Sequence, residues 1–296
     1  MPRIGRHAIS NYMYILPALA CLAITVFGPI LRATQMSFEQ YILYKPDERF
    51  FVGLDNYWQL INDPVFWLCL RNTIVWVAGS VFLQFILGFV GALVLHEKFK
   101  GRGFFRSIIL MPWVMPGAIV GLMWTWLYNP GFGLINDILI RLNLINDRIA
   151  WLAQPSTALW AIILANVWRG APFFTIMLLA GLQSIPNELY EAARVDGAPM
   201  WQRFRHITIP MIRPTIVISS IIRIIWSFNY PDMIWVMTHG GPGNSSQILA
   251  SYVLQTAYER LNFGYAATMS VFTLISVFCF TLIYMKTTAG VKPVWE

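Results

Sequence analysis

Four stretches of this chain, residues 8–31, 72–95, 107–136 and 261–285, contain no Asp, Glu, Lys or Arg. Each is longer than the roughly 20 apolar residues an α-helix needs to cross the hydrocarbon core of a bilayer. A soluble surface cannot be assembled around four such runs: only 12% of the residues are charged, against 57% hydrophobic. Two further stretches carry one cation each, Arg169 between 149 and 187 and Arg223 between 214 and 231. They read as two more spans, each with a single intramembrane arginine. The runs lack period-two alternation and are about twice the ~10 residues of a membrane β-strand. The expectation is therefore an all-α membrane protein of six transmembrane helices. Only Arg3 and Arg6 precede the first, which has no small-residue cleavage site and reads as a retained helix rather than a signal peptide.

An even number of spans puts both termini on one side. The segments of that side are the N-terminal tail, 96–106, 188–213 and the C-terminal tail, and they hold twelve Lys and Arg against seven in the opposite loops. Basic residues accumulate on the cytoplasmic side, so both termini are expected there. The same distribution explains the net charge of +7 as membrane orientation, with lipid as the partner and no nucleic acid.

Several chemistries lack candidate residues. His7, His96, His206 and His239 fall at span ends or in loops, Cys21, Cys69 and Cys279 form no CxxC pair, and no Asp or Glu lies well inside a span. A metal site, an intramembrane catalytic site and a proton relay are therefore not expected, which weakens an ion-coupled secondary transporter. No glycine is followed by lysine, so the phosphate-binding G-x-x-x-x-G-K-[ST] loop is absent and the chain is not expected to hydrolyse ATP unaided.

The segment 185–198 reads Ile-Pro-Asn-Glu-Leu-Tyr-Glu-Ala-Ala-Arg-Val-Asp-Gly-Ala. Pro186 suits the first turn of a short helix, Glu188 and Glu191 sit near its positive end, and Gly197 can take the left-handed conformation that stops it. By physics alone it reads as an amphipathic helix at the membrane surface. Its spacing is more specific. Glu191-Ala192-Ala193, then Gly197, then Ile207-Thr208-Ile209-Pro210 resembles the EAA motif of the membrane subunits of binding-protein-dependent ABC importers, with Ile209 where leucine is usual. The 168–173 segment Trp-Arg-Gly-Ala-Pro-Phe and the 238–242 segment Thr-His-Gly-Gly-Pro are similar to the sugar branch, the maltose-type permeases.

The resemblance implies a type I ABC importer permease fold with a cytoplasmic coupling helix. It implies an N-terminal part over 1–69, a permease domain of five helices over 70–286 with its EAA loop at 185–210, and a cytoplasmic tail over 287–296. Glu191, Ala192, Ala193, Asp196 and Gly197 would contact a pair of cytoplasmic ATP-binding subunits, where ATP and Mg would be bound, with no cofactor on this chain. Arg203 and Arg205 read instead as inside anchors. A second homologous permease subunit, a periplasmic or extracellular solute-binding protein and a sugar complete the expected partners. The expected location is the bacterial cytoplasmic (inner) membrane.

Candidate pathway residues are Arg169, Gly170, Phe173, Arg223, Trp226, Ser227 and Tyr230. An arginine at mid-span must face a partner, backbone carbonyls or water, so Arg169 and Arg223 are expected in the bundle interior, contacting either solute or the carbonyls of a broken helix. Gly170 and Pro172 are expected to break the fourth span. Arg223, Trp226, Ser227 and Tyr230 recur at i, i+3, i+4 and i+7 and share one helical face. Rings and hydrogen-bonding groups together suit a sugar, and an interfacial belt is the alternative. The belt reading is preferred for Tyr57, Trp124, Trp126, Tyr128 and Trp151. A permease for a non-carbohydrate solute is the other reading of the whole.

Overall fold

The computed structural model describes residues 6–288, with side chains from Tyr14 onward. Arg3, the side chains of Arg6 and His7, and the 287–296 tail beyond Thr288, with Lys292, lie outside the described residues. In chain order the elements are α1 (Arg6–Leu22), a π-helical turn (Ala23–Phe27), α2 (Gly28–Met36), β1 (Glu39–Gln40), a 3-10 turn (Pro46–Glu48), β2 (Phe50–Phe51), α3 (Asp55–Asn62), α4 (Pro64–His96), α5 (Arg102–Val114), α6 (Gly117–Leu127), α7 (Leu134–Arg141), α8 (Ala158–Gln183), α9 (Asn187–Val195), α10 (Met200–Arg203), a π-helical turn (Phe204–Thr208), α11 (Ile209–Asn229), α12 (Asp232–Thr238), α13 (Leu249–Leu254), a π-helical turn (Gln255–Glu259) and α14 (Phe263–Thr288).

Five helical stretches are long and apolar enough to cross a membrane: Tyr14–Met36, Pro64–His96, Ala158–Gln183, Met200–Asn229 and Phe263–Thr288. The sixth is the pair α5 and α6, bent by 96° between them. The run 107–136 is thus not one helix. Pro116 has no N–H to give the helix and crowds the residue before it, and Met115 is extended at φ −69° and ψ 136°. The fourth span shows the reverse. The expected break at Gly170 and Pro172 is absent, since α8 runs unbroken from Ala158 to Gln183. A single missing N–H is tolerated inside a membrane helix whose neighbours brace it, and α4 packs along α8. The fifth span begins well before Pro214. The π-helical turn Phe204–Thr208 continues the helix from α10 into α11, so Pro210 lies within one helical stretch, Met200–Asn229.

The chain forms two compact units. One comprises the residues up to Asp63 together with Val253–Ile275. There the β1–β2 hairpin pairs Glu39 with Phe51 and Gln40 with Phe50, and Arg49 bridges Glu39 at 2.6 Å while stacking on Tyr41. Thr268 donates to the Ser37 carbonyl and Tyr265 to the Asp63 carboxylate, which ties the start of α14 to the chain around the hairpin and α3.

The other unit comprises Pro64–Tyr252 with the chain from Ser276. Its core is apolar, with Trp76, Ile162, Ile163, Phe174, Leu178 and Ile234 fully buried. Several buried polar groups there find backbone partners. The Asn72 amide donates to the carbonyls of Asn244, Ser245 and Gln247 at 3.0–3.2 Å, pinning the loop after α12 onto α4. Tyr128, expected in an interfacial belt, is buried instead, its hydroxyl donating to the Ala161 carbonyl at 3.0 Å. Trp126 is exposed as a belt residue would be.

Candidate functional site

In the larger unit α4, α5, α8, α11 and α12 surround a cavity of about 270 Å³. Its wall is made by Trp76, Trp113, Asn166, Arg169, Arg223, Trp226, Ser227, Tyr230, Asp232 and Met233. The helical spacing of the fifth span carries through: all four members of the i, i+3, i+4, i+7 face reach this one cavity. Helix α11 stops at Asn229 because Pro231 follows, and Tyr230 leaves helical geometry at φ −112° and ψ 88°.

The wall is braced from behind. The Trp76 indole donates to the Ser227 carbonyl at 3.0 Å, and the Ser227 hydroxyl donates to the Arg223 carbonyl at 2.9 Å. Phe173 is not on the wall. It packs behind it, 5.1 Å from the Trp226 ring centre and 6.1 Å from that of Trp113. Gly170 is off the wall as well. A methyl group there would overlap the Arg223 guanidinium and the Gln84 amide, so the glycine is required by close packing and not by a helix break.

Both arginines are held by neutral oxygens. Arg223 donates through Nε to Gln84 Oε1 at 2.5 Å and through Nη2 to Asn166 Oδ1 at 3.5 Å. Arg169 Nε donates to the Met115 carbonyl at 3.3 Å, beside the break between α5 and α6. The broken helix whose carbonyl meets a cation is therefore the third span. The described ion pairs are Lys45–Glu48, Arg49–Glu39 and Arg148–Asp137, none of them at the cavity.

The segment carrying the EAA-like motif folds as anticipated. Pro186 precedes α9, Glu188 lies in its first turn, and Gly197 follows it at φ +74°. Two bonds close the end, Ala198 N–H to the Ala193 carbonyl at 2.8 Å and Gly197 N–H to that of Arg194 at 3.0 Å, the Schellman arrangement that needs a left-handed residue. Glu191, Ala192, Asp196 and Gly197 are exposed and Ala193 is half-buried. On the other face the Tyr190 hydroxyl meets Thr208 Oγ1 at 2.9 Å, fastening α9 to the turn that leads into α11.

Residues 84–287 match the family described as binding-protein-dependent transport system inner membrane component. The chain belongs to that family. It is 38% identical to the trehalose/maltose transport system permease protein MalF of Thermococcus litoralis, over 95% of this chain and 94% of that protein. It is 34% identical to the sulfoquinovosyl glycerol transport system permease protein SmoG of Agrobacterium fabrum, over 93% of this chain and 88% of that one. Among solved structures, a chain of a bacterial ABC transporter involved in the import of the acidic polysaccharide alginate superposes with a TM-score of 0.84, at 25% identity and 97% coverage of both chains. Family membership sets aside the ion-coupled secondary transporter.

The permease also uses residues that the sequence did not single out. Asp232 begins α12, just past the end of the fifth span at Asn229, and brings a carboxylate to the cavity wall. The cue was Pro231 just before it, since a proline at a helix start makes the next residues the first turn of a new helix. Gln84 and Asn166 are buried carboxamides inside apolar runs, and Trp76 and Trp113 are two of thirteen tryptophans. A polar residue at mid-span was a usable signal, whereas nothing in the sequence separates wall tryptophans from belt ones.

Proposed function

We propose that the permease is a membrane subunit of an ABC importer that moves a sugar or sugar derivative across the cytoplasmic membrane by alternating access. The observation that carries this reading is the composition of the cavity wall. Trp113, Trp226 and Tyr230 offer ring faces for the C–H faces of a pyranose, while Arg169, Arg223, Asn166, Ser227 and Asp232 offer donors and acceptors for its hydroxyls. The sugar-permease names of the relatives support the same class.

On this reading the chain does no bond chemistry of its own. ATP is hydrolysed with Mg on a pair of cytoplasmic subunits, and the exposed Glu191, Ala192, Asp196 and Gly197 with the half-buried Ala193 form the surface that docks with them. A second homologous permease subunit completes the pathway, and an external solute-binding protein delivers the solute. Both chain termini and the 188–213 segment face the cytoplasm.

Two guanidinium groups and one carboxylate on a small wall favour one other reading, a charged non-carbohydrate solute. Uptake by proteoliposomes holding the assembled complex and its binding protein separates the two. ATP-driven accumulation of a mono- or oligosaccharide is the expected result. Accumulation of an amino acid or inorganic anion with no sugar transported would replace the sugar reading.

A further inference from the structure

We propose that Gln84 is a positioning residue for transport: its neutral amide fixes Arg223 at the cavity wall without neutralising it, leaving the guanidinium charge for oxygen atoms of the solute. This rests on the sugar-importer reading above and concerns a residue outside the wall itself.

Gln84 is fully buried on α4. Its amide orientation is dictated by its two neighbours, because an arginine only donates and a carbonyl only accepts. Oε1 takes the Arg223 Nε–H at 2.5 Å, and Nε2 donates to the Asn166 carbonyl at 2.9 Å. Asn166 is locked in the same way. Its Nδ2 donates to Ser80 Oγ at 3.1 Å, which turns Oδ1 toward Arg223. Gly170 leaves the room in which the guanidinium and the amide meet. Three helices, α4, α8 and α11, are thus joined around one cation by partners that carry no charge.

That choice of partners has a consequence. A buried cation is costly unless paired, and a carboxylate at position 84 would pair it within the same volume. With glutamine there, two of the five guanidinium N–H groups are occupied and the rest have no protein acceptor among the described residues. The other charged groups on the wall are Arg169, whose charge repels that of Arg223, and Asp232, whose carboxylate attracts it without closing to an ion pair. Arg223 is therefore oriented by neutral partners and in direct contact with no carboxylate, and its unused N–H groups suit an electron-rich solute oxygen.

The test uses the assembled complex with its ATPase subunits and binding protein in proteoliposomes, offered radiolabelled maltose, trehalose and glucuronic acid. The readout is solute moved per ATP hydrolysed. Gln84→Glu should lower that ratio about tenfold, the scale of one charge-assisted hydrogen bond, with ATP hydrolysis holding within about twofold. Gln84→Met, which keeps the volume and removes the acceptor, should also lower the ratio. In an Arg223→Gln background the Gln84→Glu change should have no further effect on it. A wild-type ratio in either Gln84 variant, or a loss that persists without Arg223, overturns the proposal. A solute-independent measurement keeps the two readings apart. Gln84→Glu gives up the Nε2 bond to the Asn166 carbonyl in either background, so it should lower the unfolding temperature of the detergent-purified complex modestly when Arg223 is present and much more in Arg223→Gln, where the new carboxylate is also unpaired. Equal shifts in both backgrounds overturn the Gln84 proposal. Accumulation of an amino acid or inorganic anion by the wild-type complex, with no sugar moved, overturns the sugar reading alone.

Discussion

At position 170 a hydrogen atom is the whole side chain because two others occupy the space beyond it, the Arg223 guanidinium and the Gln84 amide. Gly170→Ala is therefore expected to force those groups apart and to destabilise the permease by ~1–3 kcal/mol, read as a lower unfolding temperature and less assembled complex. The wall rings make a different prediction. If Trp226 and Tyr230 stack a sugar, each alanine variant should assemble and lose about ten- to hundredfold in solute affinity, in line with ~1–3 kcal/mol for a contacting ring. Trp226 also packs on Phe173, so Trp226→Phe serves as the control that fills the gap while shrinking the stacking surface. Normal uptake by both alanine variants would put the solute elsewhere. Ser227→Ala should change uptake by less than about threefold, because the hydroxyl already donates to the Arg223 carbonyl and offers the solute only a lone pair.

Among the elements, α9 is the most exposed of those argued to matter, and its end depends on one residue. Gly197 sits at φ +74°, where a β-branched side chain is penalised. Gly197→Val is expected to unwind the Schellman turn and abolish uptake while the protein remains inserted. Glu191→Lys should do the same by reversing the charge offered to an ATPase subunit, and normal ATP-driven uptake by both variants would remove the docking role from α9. The bend between α5 and α6 has an equally local cause. Pro116→Ala restores the missing N–H, so the span should straighten and withdraw the Met115 carbonyl from Arg169. A cysteine pair bridging residues 115 and 169 should then cross-link less efficiently than in the proline-containing chain.

At the scale of the molecule the testable property is orientation. The bias of basic residues toward the termini, 96–106 and 188–213 predicts that the loop containing Asp47 lies outside the cell. Single cysteines at 47 and 296 should respond oppositely to a membrane-impermeant thiol reagent applied to intact cells: labelling at 47 and protection at 296. The reverse pattern would invert the topology and place α9 on the wrong side for any cytoplasmic partner.

Runs with no charge or a single arginine were enough to locate the spans, because a bilayer admits few alternatives to a helix over about 20 apolar residues. The EAA-like spacing likewise marked α9 to within a residue or two, since proline and glycine act on their own neighbours and need no tertiary partner. The i, i+3, i+4, i+7 face of α11 was legible for the same reason: helical periodicity is local. What the sequence alone left undecided depends on which helices lie side by side. Pro116 breaks its span and Pro172 does not, although both lie within apolar runs, and the difference rests on how each helix is braced. Tyr128 reads as a belt residue until α8 brings the Ala161 carbonyl to its hydroxyl. Gln84 and Arg223 are 139 residues apart in the chain and 2.5 Å apart in space. Their pairing, and the cavity it lines, exist only because α4, α8 and α11 pack together, and no local rule of spacing encodes contact at that range.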